Sequence, residues 1–323
     1  MLLYHGESQL FFPTTNVGDT HYINGHYGVD FFFVLSGFVI SSINYKYIGL
    51  HKEVGAFLVK RLVRILPLVF LLCAPRIFVE YLQGRDFVDL IVSSTSDLLL
   101  LPTERGHLIN SAWSLRFEMF FYFLFAIGLL FTKKLFWFLS TCWLILIVSI
   151  HVFAGGEHAM YGVESFMFSK WNVLFIFGFY MGFLEHSVRK WPSKFQYLLV
   201  FFSSTIGFIF MFCNDFAIGH PDKNIYDVIG ASFLFCGVTQ FFCCLDYRRV
   251  KPPRILIELG NASYALYLIH GSVLFYCRVM LDGSPLFLCL TSWLLVLLIL
   301  PISWLVYQYY EKPVSNYLRR KLL

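Results

Sequence analysis

Long apolar segments, separated by short polar connections, make up most of this 323-residue chain. A membrane-spanning helix needs about 20 predominantly apolar residues, and nine segments approach that length. The composition agrees, since 58% of the residues are hydrophobic and 14% are charged, whereas about 25% of the residues in a soluble domain are charged. The sequence therefore predicts an all-α fold, a polytopic membrane helix bundle of about nine transmembrane helices. The predicted spans are 28–45, 64–82, 113–131, 135–153, 168–186, 195–213, 227–245, 260–280 and 286–309.

Basic residues are concentrated in alternate connections between these spans. Short connections rich in Lys and Arg stay on the cytoplasmic side of a membrane, so the C-terminus is predicted to be cytoplasmic and the N-terminal segment to lie outside. No linker-like segment interrupts the chain, and residues 1–323 are predicted to form a single membrane domain. The predicted cytoplasmic segments hold 18 of the 25 basic residues and are 46–64, 132–134, 187–194, 246–258 and 311–323; the outer ones are 1–27 and the loops near 83–112, 154–167, 214–226 and 281–285.

Neither the eight cysteines nor the ten histidines show the spacing of a metal site. Every cysteine falls in or at the edge of an apolar span, where a free thiol behaves as a small hydrophobic group. No metal and no bound cofactor are therefore expected. Membrane lipids are expected partners, and nucleic acid is not.

The first span carries an acidic residue at the mouth of an apolar run, Asp30 in GVDFFFVLSGFVI (28–40). A carboxylate at or inside a bilayer is costly, so a functional role is the default hypothesis for it. Ser36 and Gly37 lie two turns further along the same helix and are small enough for a second helix or a ligand to come close. The alternative is that Asp30 is merely interfacial and that Ser36 and Gly37 merely pack helices.

The third span opens with SAWSLRFEMFFY (111–122), in which Arg116 and Glu118 are two residues apart. On a regular helix they point in different directions, so each is expected to pair with another group, and Asp30 is a candidate partner for Arg116. Two interpretations stay open: an ion pair that holds two helices together, or a polar pocket that opens outward. In the eighth span, His270 is a further ionisable residue within an apolar segment.

A basic cluster, Lys60, Arg61 and Arg64, marks the cytoplasmic entry to the second span. It could bind lipid headgroups or serve topology alone. It could also hold the phosphates of a nucleotide-containing donor, because the guanidinium group suits bidentate phosphate recognition. Near the N-terminus, His5 could act as a general base or be an ordinary interfacial histidine.

Six separate blocks, in this order, resemble the acyltransferase 3 family of bacterial integral-membrane acyltransferases. The block around Trp113 is most similar to the branch that acetylates exopolysaccharides and O-antigens. The blocks span essentially the whole chain and are YH (4–5), GVDFFFVLSGF (28–38), RLVRILP (61–67), WSLRFEMFFY (113–122), SYALYLIH (263–270) and EKP (311–313).

The resemblance implies a ten-span fold in the bacterial cytoplasmic (inner) membrane with both termini cytoplasmic. The first helix of that fold would then be truncated here, and the arginine that precedes the histidine in the family would be missing. The resemblance also implies transfer of an acyl group, usually acetyl, from cytosolic acyl-CoA to a hydroxyl of an exported carbohydrate such as O-antigen or exopolysaccharide.

Roles for individual residues follow from the same resemblance. His5, Asp30 and Glu118 are expected to be catalytic, and Arg61 and Arg64 to bind acyl-CoA. Glu311 and Pro313 are interpreted as ending the last span. Two alternatives stay open, a transporter or flippase of a lipid-linked sugar and an inactive truncated homologue. The acceptor pocket is expected to contain Ser36, Trp113, Arg116, Tyr122 and His270.

Overall fold

Every regular element in the described part of the chain is helical, as predicted. The computed structural model describes residues 27–101, 109, 112–154, 163–213, 224–280 and 297–323. The helices are α1 Tyr27–Asn44, followed by a 3₁₀ turn at Tyr45–Tyr47, α2 Glu53–Leu82, α3 Phe87–Leu98, α4 Ala112–Gly128, α5 Lys133–Phe153, α6 Val163–Met167, α7 Trp171–Val188, α8 Ser193–Cys213, α9 Ile225–Tyr247, α10 Arg254–Asn261, α11 Ser263–Met280, a π-helical turn at Tyr307–Glu311 and α12 Lys312–Leu322.

Six of the described helical segments are long and apolar enough to cross a membrane. The three remaining predicted spans fall on α4, which has 17 residues, on α11, and on a segment described only from residue 297. The polytopic class is supported, whereas the number nine stays a prediction. The six segments are Tyr27–Tyr47, Glu53–Leu82, Lys133–Phe153, Val163–Val188, Ser193–Met211 and Ile225–Tyr247.

The chain divides into two compact units, each built from separate stretches of sequence. The first contains Gly55–Met119 and Pro252–Leu323, and the second contains residues 27–54 and Phe120–Lys251. Helix α4 runs from one unit into the other, since its first turns belong to the first unit and its remainder to the second. The expectation of a single domain over 1–323 stays a prediction.

Glycines bring the backbones of α1 and α7 into direct contact in the second unit. A Cβ atom added at Gly37 would lie 2.2 Å from the carbonyl oxygen of Phe175, and one at Gly178 would lie 2.0 Å from that of Val34. Small residues permit this approach between helices in a membrane, where tight van der Waals packing contributes much of the association. Gly37 therefore packs helices, which was one of the two interpretations of its block.

Helix α2 continues through two prolines, and hydroxyl groups bind its backbone around the first of them. Pro67 has no N–H to donate to the carbonyl oxygen of Val63. The Ser315 hydroxyl donates to that oxygen at 3.2 Å, and the Tyr310 hydroxyl donates to the carbonyl oxygen of Pro67 itself at 3.0 Å. Between these two positions, the Tyr264 hydroxyl donates to the carbonyl oxygen of Ile65 at 2.8 Å. Residues of the blocks 61–67 and 263–270 therefore meet here in the first unit with Tyr310 and Ser315, which lie on either side of the block 311–313.

A short helix, α3, occupies part of the connection near 83–112. That this connection lies on the outer side stays a prediction. Asp86 caps the N-terminus of α3 by accepting hydrogen bonds from the backbone N–H groups of Val88 and Asp89. The buried residues of α3 recur at helical spacing but are largely polar. The helix therefore cannot be predicted from the spacing of apolar residues. The buried residues of α3 are Leu90, Ser93, Ser94, Ser96 and Asp97.

The C-terminal helix continues past Glu311 and Pro313. That these residues end the last membrane span stays a prediction. Residues 297–306 are α-helical, a π-helical turn follows at Tyr307–Glu311, and α12 continues to Leu322. Pro313 cannot donate to the carbonyl oxygen of Tyr309 in an α-helix. The π-helical turn accommodates that break, and such single turns occur frequently at functional sites.

Candidate functional site

Arg116 and Asp97 form a fully buried ion pair between α4 and α3. Both side chains are 0% exposed, and the Arg116 Nη2 and Asp97 Oδ1 atoms are 2.5 Å apart. The second carboxylate oxygen accepts a hydrogen bond from the backbone N–H of Ile109 at 3.3 Å, and Nη2 lies 3.4 Å from the Ser96 hydroxyl. An ion pair that holds two helices together was one of the two interpretations of Arg116. That Asp30 pairs with Arg116 stays a prediction.

Ser114 and Glu118 lie on a different face of α4 from Arg116, because they are four residues apart and Arg116 falls between them. The Ser114 hydroxyl is hydrogen-bonded to the hydroxyl of Tyr267 on α11. Glu118 is buried, and its charge acts on the same tyrosine. Arg116 and Glu118 thus point to different neighbours, as the spacing predicts.

His270 joins this group from the next turn of α11. Its ring centroid lies 5.7 Å from that of Tyr267, and its side chain is buried. The Nδ1 atom is 3.2 Å from the carbonyl oxygen of Leu266, to which an Nδ1–H would donate. We call Ser114, Glu118, Tyr267 and His270 the tyrosine cluster. Tyr267 and Asp97 were not singled out from the sequence, although Tyr267 lies three residues before His270 and therefore on the same helical face.

The other predicted site residues are placed as follows. Asp30, Ser36 and Tyr122 are buried in the second unit, and the Asp30 charge acts on Tyr27. In the first unit, Trp113 is half-buried and its ring packs edge-on against Phe117. His5 lies outside the described residues. The structure brings Glu118 and His270 together around Tyr267.

A cavity of about 280 Å³ in the first unit is lined by basic and amide side chains. We call it the basic cavity. Of the two arginines predicted to bind the donor, Arg64 lines it, whereas the Arg61 guanidinium lies over the Phe57 ring at 5.6 Å. The charged and amide side chains of the basic cavity are Arg64, Lys312, Arg319, Glu311, Asn261 and Asn316.

Glu311 is the acidic residue of the basic cavity. Only 6% of it is exposed, and its Oε2 atom has no hydrogen-bond partner among the described residues. It lies beyond the last predicted span, and burial raises the pKa of its carboxyl group to about 7, while the positive charge of Arg64 acts in the opposite direction. A buried carboxyl group whose pKa lies near neutral pH, surrounded by cationic side chains, is typical of functional sites.

The second unit has a cavity of a different character. It measures about 270 Å³ and lies against α4, α5 and α7, with walls that include Phe121, Phe136, Trp143 and Phe179. Such apolar walls cannot offset the cost of taking a phosphate out of water. Within the described ranges, no group of three or more His, Cys, Asp or Glu side chains is arranged to hold a metal ion.

Comparison with known proteins assigns the class. The sequence model of the acyltransferase 3 family, described as an acyltransferase domain, matches residues 1–308, so the chain belongs to this family. The relatives include proteins named O-acetyltransferase OatA from Staphylococcus aureus strains NCTC 8325 / PS 47, COL and MRSA252. Each is 24% identical over 334 aligned positions, which cover 90% of this chain and 53% of the relative. The chain thus spans about half the length of these relatives, and no solved structure matches it.

Proposed function

We propose that this chain is a membrane O-acetyltransferase that transfers an acetyl group from cytosolic acetyl-CoA to a hydroxyl of an exported carbohydrate. Family membership and relatives named O-acetyltransferase support the transfer of an acyl group to oxygen. The same membership favours an enzyme over the transporter or flippase alternative. The observation that carries the proposal furthest is the tyrosine cluster, in which hydroxyl, carboxylate and imidazole groups meet within a predominantly apolar bundle.

The reaction balances without a further reactant. The acceptor hydroxyl oxygen attacks the carbonyl carbon of the thioester, the carbon–sulfur bond breaks, and a carbon–oxygen ester bond forms. The hydroxyl proton passes to a general base, and the leaving thiolate takes up a proton. In this proposal His5 is the base, and Asp30 or Glu118 orients its imidazole and stabilises the charged form. Ser36 as a covalent acyl carrier is a lesser alternative.

The donor requires a cationic site, which the basic cavity supplies. Coenzyme A carries a diphosphate and a further phosphate, and guanidinium groups bind such oxygens bidentately. Arg64 lines the basic cavity and is its first candidate, with Arg61 one turn earlier on α2. In the proposal this end of α2 lies on the cytoplasmic side with the donor, which the concentration of basic residues in alternate connections supports.

On the acceptor side, the burial of Arg116 changes its proposed role. Its guanidinium group is committed to Asp97, so Trp113 is the better candidate to contact a sugar ring. Trp113 is half-buried and presents an aromatic face with a polar N–H group. In the proposal, Tyr122, His270 and Ser36 stay candidate pocket residues.

Replacement of Glu118 tests the proposal at the tyrosine cluster. Glu118→Gln keeps the shape of the side chain and removes its charge. Acetyl transfer from radiolabelled acetyl-CoA by the full chain in membranes is expected to fall about 100-fold or more, because Glu118 is proposed to orient and charge-stabilise the general base, whose contribution to a rate is about 10²–10⁴. The control is Glu164→Gln at an exposed glutamate on α6, which is expected to leave the rate unchanged. Full activity of Glu118→Gln would remove this residue from the proposed site.

A further inference from the structure

One face of α12 is directed at the basic cavity. Lys312, Ser315, Asn316 and Arg319 all line it, and their spacing of three, four and seven residues places them on a single side of the helix. Arg320 and Lys321 follow directly but do not line the basic cavity. The basic residues of α12 therefore fall into two groups. Lys312 and Arg319 line the basic cavity together with Arg64, whereas Arg320 and Lys321 do not.

The position of this face is held by specific contacts. The Ser315 hydroxyl is bonded to the Val63 carbonyl oxygen, which is next to Arg64 in the chain. The Tyr310 hydroxyl is bonded to Pro67, one turn further along α2. The π-helical turn allows the chain to pass Pro313 and still continue as a helix. These contacts bring Lys312 and Arg319 to the basic cavity that Arg64 enters from α2.

The charges of the basic cavity are not balanced by its own residues. Arg64, Lys312 and Arg319 are positive, and among the described lining residues Glu311 is the one carboxylate. An anion would therefore be attracted to it. Glu311 itself is buried, and one of its carboxylate oxygens has no hydrogen-bond partner among the described residues. That oxygen is available to a bound ligand or to water.

We propose that Lys312 and Arg319 of α12 form, together with Arg64, a single site for the phosphate groups of the acyl donor, with Glu311 as its counter-ion. This inference rests on the proposed function, in which the donor is a coenzyme A thioester. It adds α12 as the second wall of the donor site and makes Lys312 and Arg319 donor-binding residues. An anionic lipid headgroup presents the same phosphate chemistry, and the test separates the two sources.

Two neighbouring arginines give a matched pair of variants. The full chain is reconstituted in nanodiscs of phosphatidylcholine, and the binding of coenzyme A, dephospho-coenzyme A and inorganic diphosphate is measured by calorimetry. Arg319→Gln is expected to weaken binding of coenzyme A about tenfold or more, because a hydrogen bond to a charged group is lost. Arg320→Gln removes the same charge one residue later and is expected to change the affinity less than about twofold. Arg319→Lys, which keeps the charge, is expected to recover part of the affinity.

Other results would overturn the inference. Equal effects of Arg319→Gln and Arg320→Gln would mean that α12 acts through its overall charge and not through the basic cavity. If phosphatidylglycerol in the nanodiscs is needed for any difference between the variants, and coenzyme A does not bind in phosphatidylcholine, the site belongs to a lipid headgroup. If acetyl transfer proceeds and Arg319→Gln leaves it unchanged, the inference fails while the proposed function stands. Conversely, selective loss of coenzyme A binding in Arg319→Gln, without acetyl transfer by the wild type, would support the donor site and contradict the proposed function.

The counter-ion role of Glu311 predicts a pH dependence of donor binding. A bound phosphate opposes the charged form of Glu311, so affinity is highest below pH 7 and falls as the carboxyl group ionises. Between pH 6 and pH 8 the affinity of the wild type for coenzyme A is expected to fall about fivefold, which corresponds to a rise of about one unit in the pKa of Glu311 when the donor binds. The charged and titratable groups around Glu311 are Arg64 from α2, Lys312 and Arg319 from α12, Tyr307 from the π-helical turn, and Glu258 from α10, whose charge acts on Tyr307.

Variants separate this effect from the titration of the ligand. The ligand's own phosphate also titrates near pH 6, in the direction of tighter binding at higher pH. Glu311→Gln is expected to lose the fall in affinity and to bind more tightly than the wild type at pH 8. Glu258→Gln, on the neighbouring helix, is expected to keep the fall. An identical pH profile in the wild type and Glu311→Gln would show that Glu311 is not the counter-ion.

Discussion

Arg116→Met is expected to destabilise the protein by about 3–5 kcal/mol, because it leaves the Asp97 carboxylate buried without its counter-charge. Both side chains are fully buried, so water cannot replace the lost partner. The predicted result is a strongly lowered midpoint in thermal unfolding, followed by tryptophan fluorescence in detergent micelles. Arg254→Met, at an exposed arginine that begins α10, is expected to leave the midpoint within a degree or two.

A double variant distinguishes the structural role of this ion pair from a chemical one. Replacing a buried pair with apolar residues of similar size is often neutral, so Arg116→Met with Asp97→Leu is expected to regain most of the lost stability. If Arg116 only positions α3 against α4, acetyl transfer should recover together with the fold. A double variant that folds but stays inactive would return Arg116 to the acceptor pocket. A single variant as stable as the wild type would contradict the buried ion pair.

The second large effect is expected at Gly178, where α7 meets α1. In Gly178→Ala the new Cβ atom would lie 2.0 Å from the carbonyl oxygen of Val34 and 2.8 Å from its carbonyl carbon. Both belong to the backbone of α1, so the helices must separate. Overpacking of this kind costs about 1–3 kcal/mol and occasionally more, and the upper end is expected because no flexible side chain can yield. The measurement is the yield of monodisperse protein in detergent, followed by its unfolding midpoint.

Gly55→Ala is the matched control for that substitution. Gly55 lies in α2, and a Cβ atom there would meet nothing within 4 Å. Alanine is favoured over glycine in a helix by up to about 1 kcal/mol, so this variant is expected to be at least as stable as the wild type. Equal behaviour of the two variants would show that the close contact of α1 with α7 is absent in the folded protein.

Much of the helical architecture could be predicted from the sequence because the bilayer imposes one clear signal. A membrane span must be long, apolar and helical. The segments that begin at Tyr27, Glu53, Lys133 and Ile225 meet all of these conditions. Helix α3 was not predicted in this way. It is too short to cross a membrane, and its buried face carries serines and Asp97 where apolar residues would be expected. The partner of Arg116 was missed for the same reason.

The candidate site was predicted in its parts and not in its assembly. Glu118 and His270 were singled out because ionisable groups in apolar segments are unusual. Arg64 was singled out because it belongs to a basic cluster suited to phosphate. Tyr267 belonged to the block 263–270 but was given no role, because a tyrosine is common in an aromatic-rich chain. Lys312 and Arg319 counted only toward topology, because they follow the predicted end of the last span. They share one face because the helix continues past Pro313.

The most direct test of the central claim is the O-acetyl content of surface polysaccharide, measured by proton NMR. A strain lacking the gene would be complemented with the wild-type chain, with Glu118→Gln, with Arg64→Gln, or with the control Glu164→Gln. The account predicts that the wild type and the control restore the acetyl signal and that the other two variants do not, although all four are present in the membrane in equal amounts. Restoration by Glu118→Gln and Arg64→Gln to the wild-type level, or no acetyl signal from the wild-type chain, would contradict it.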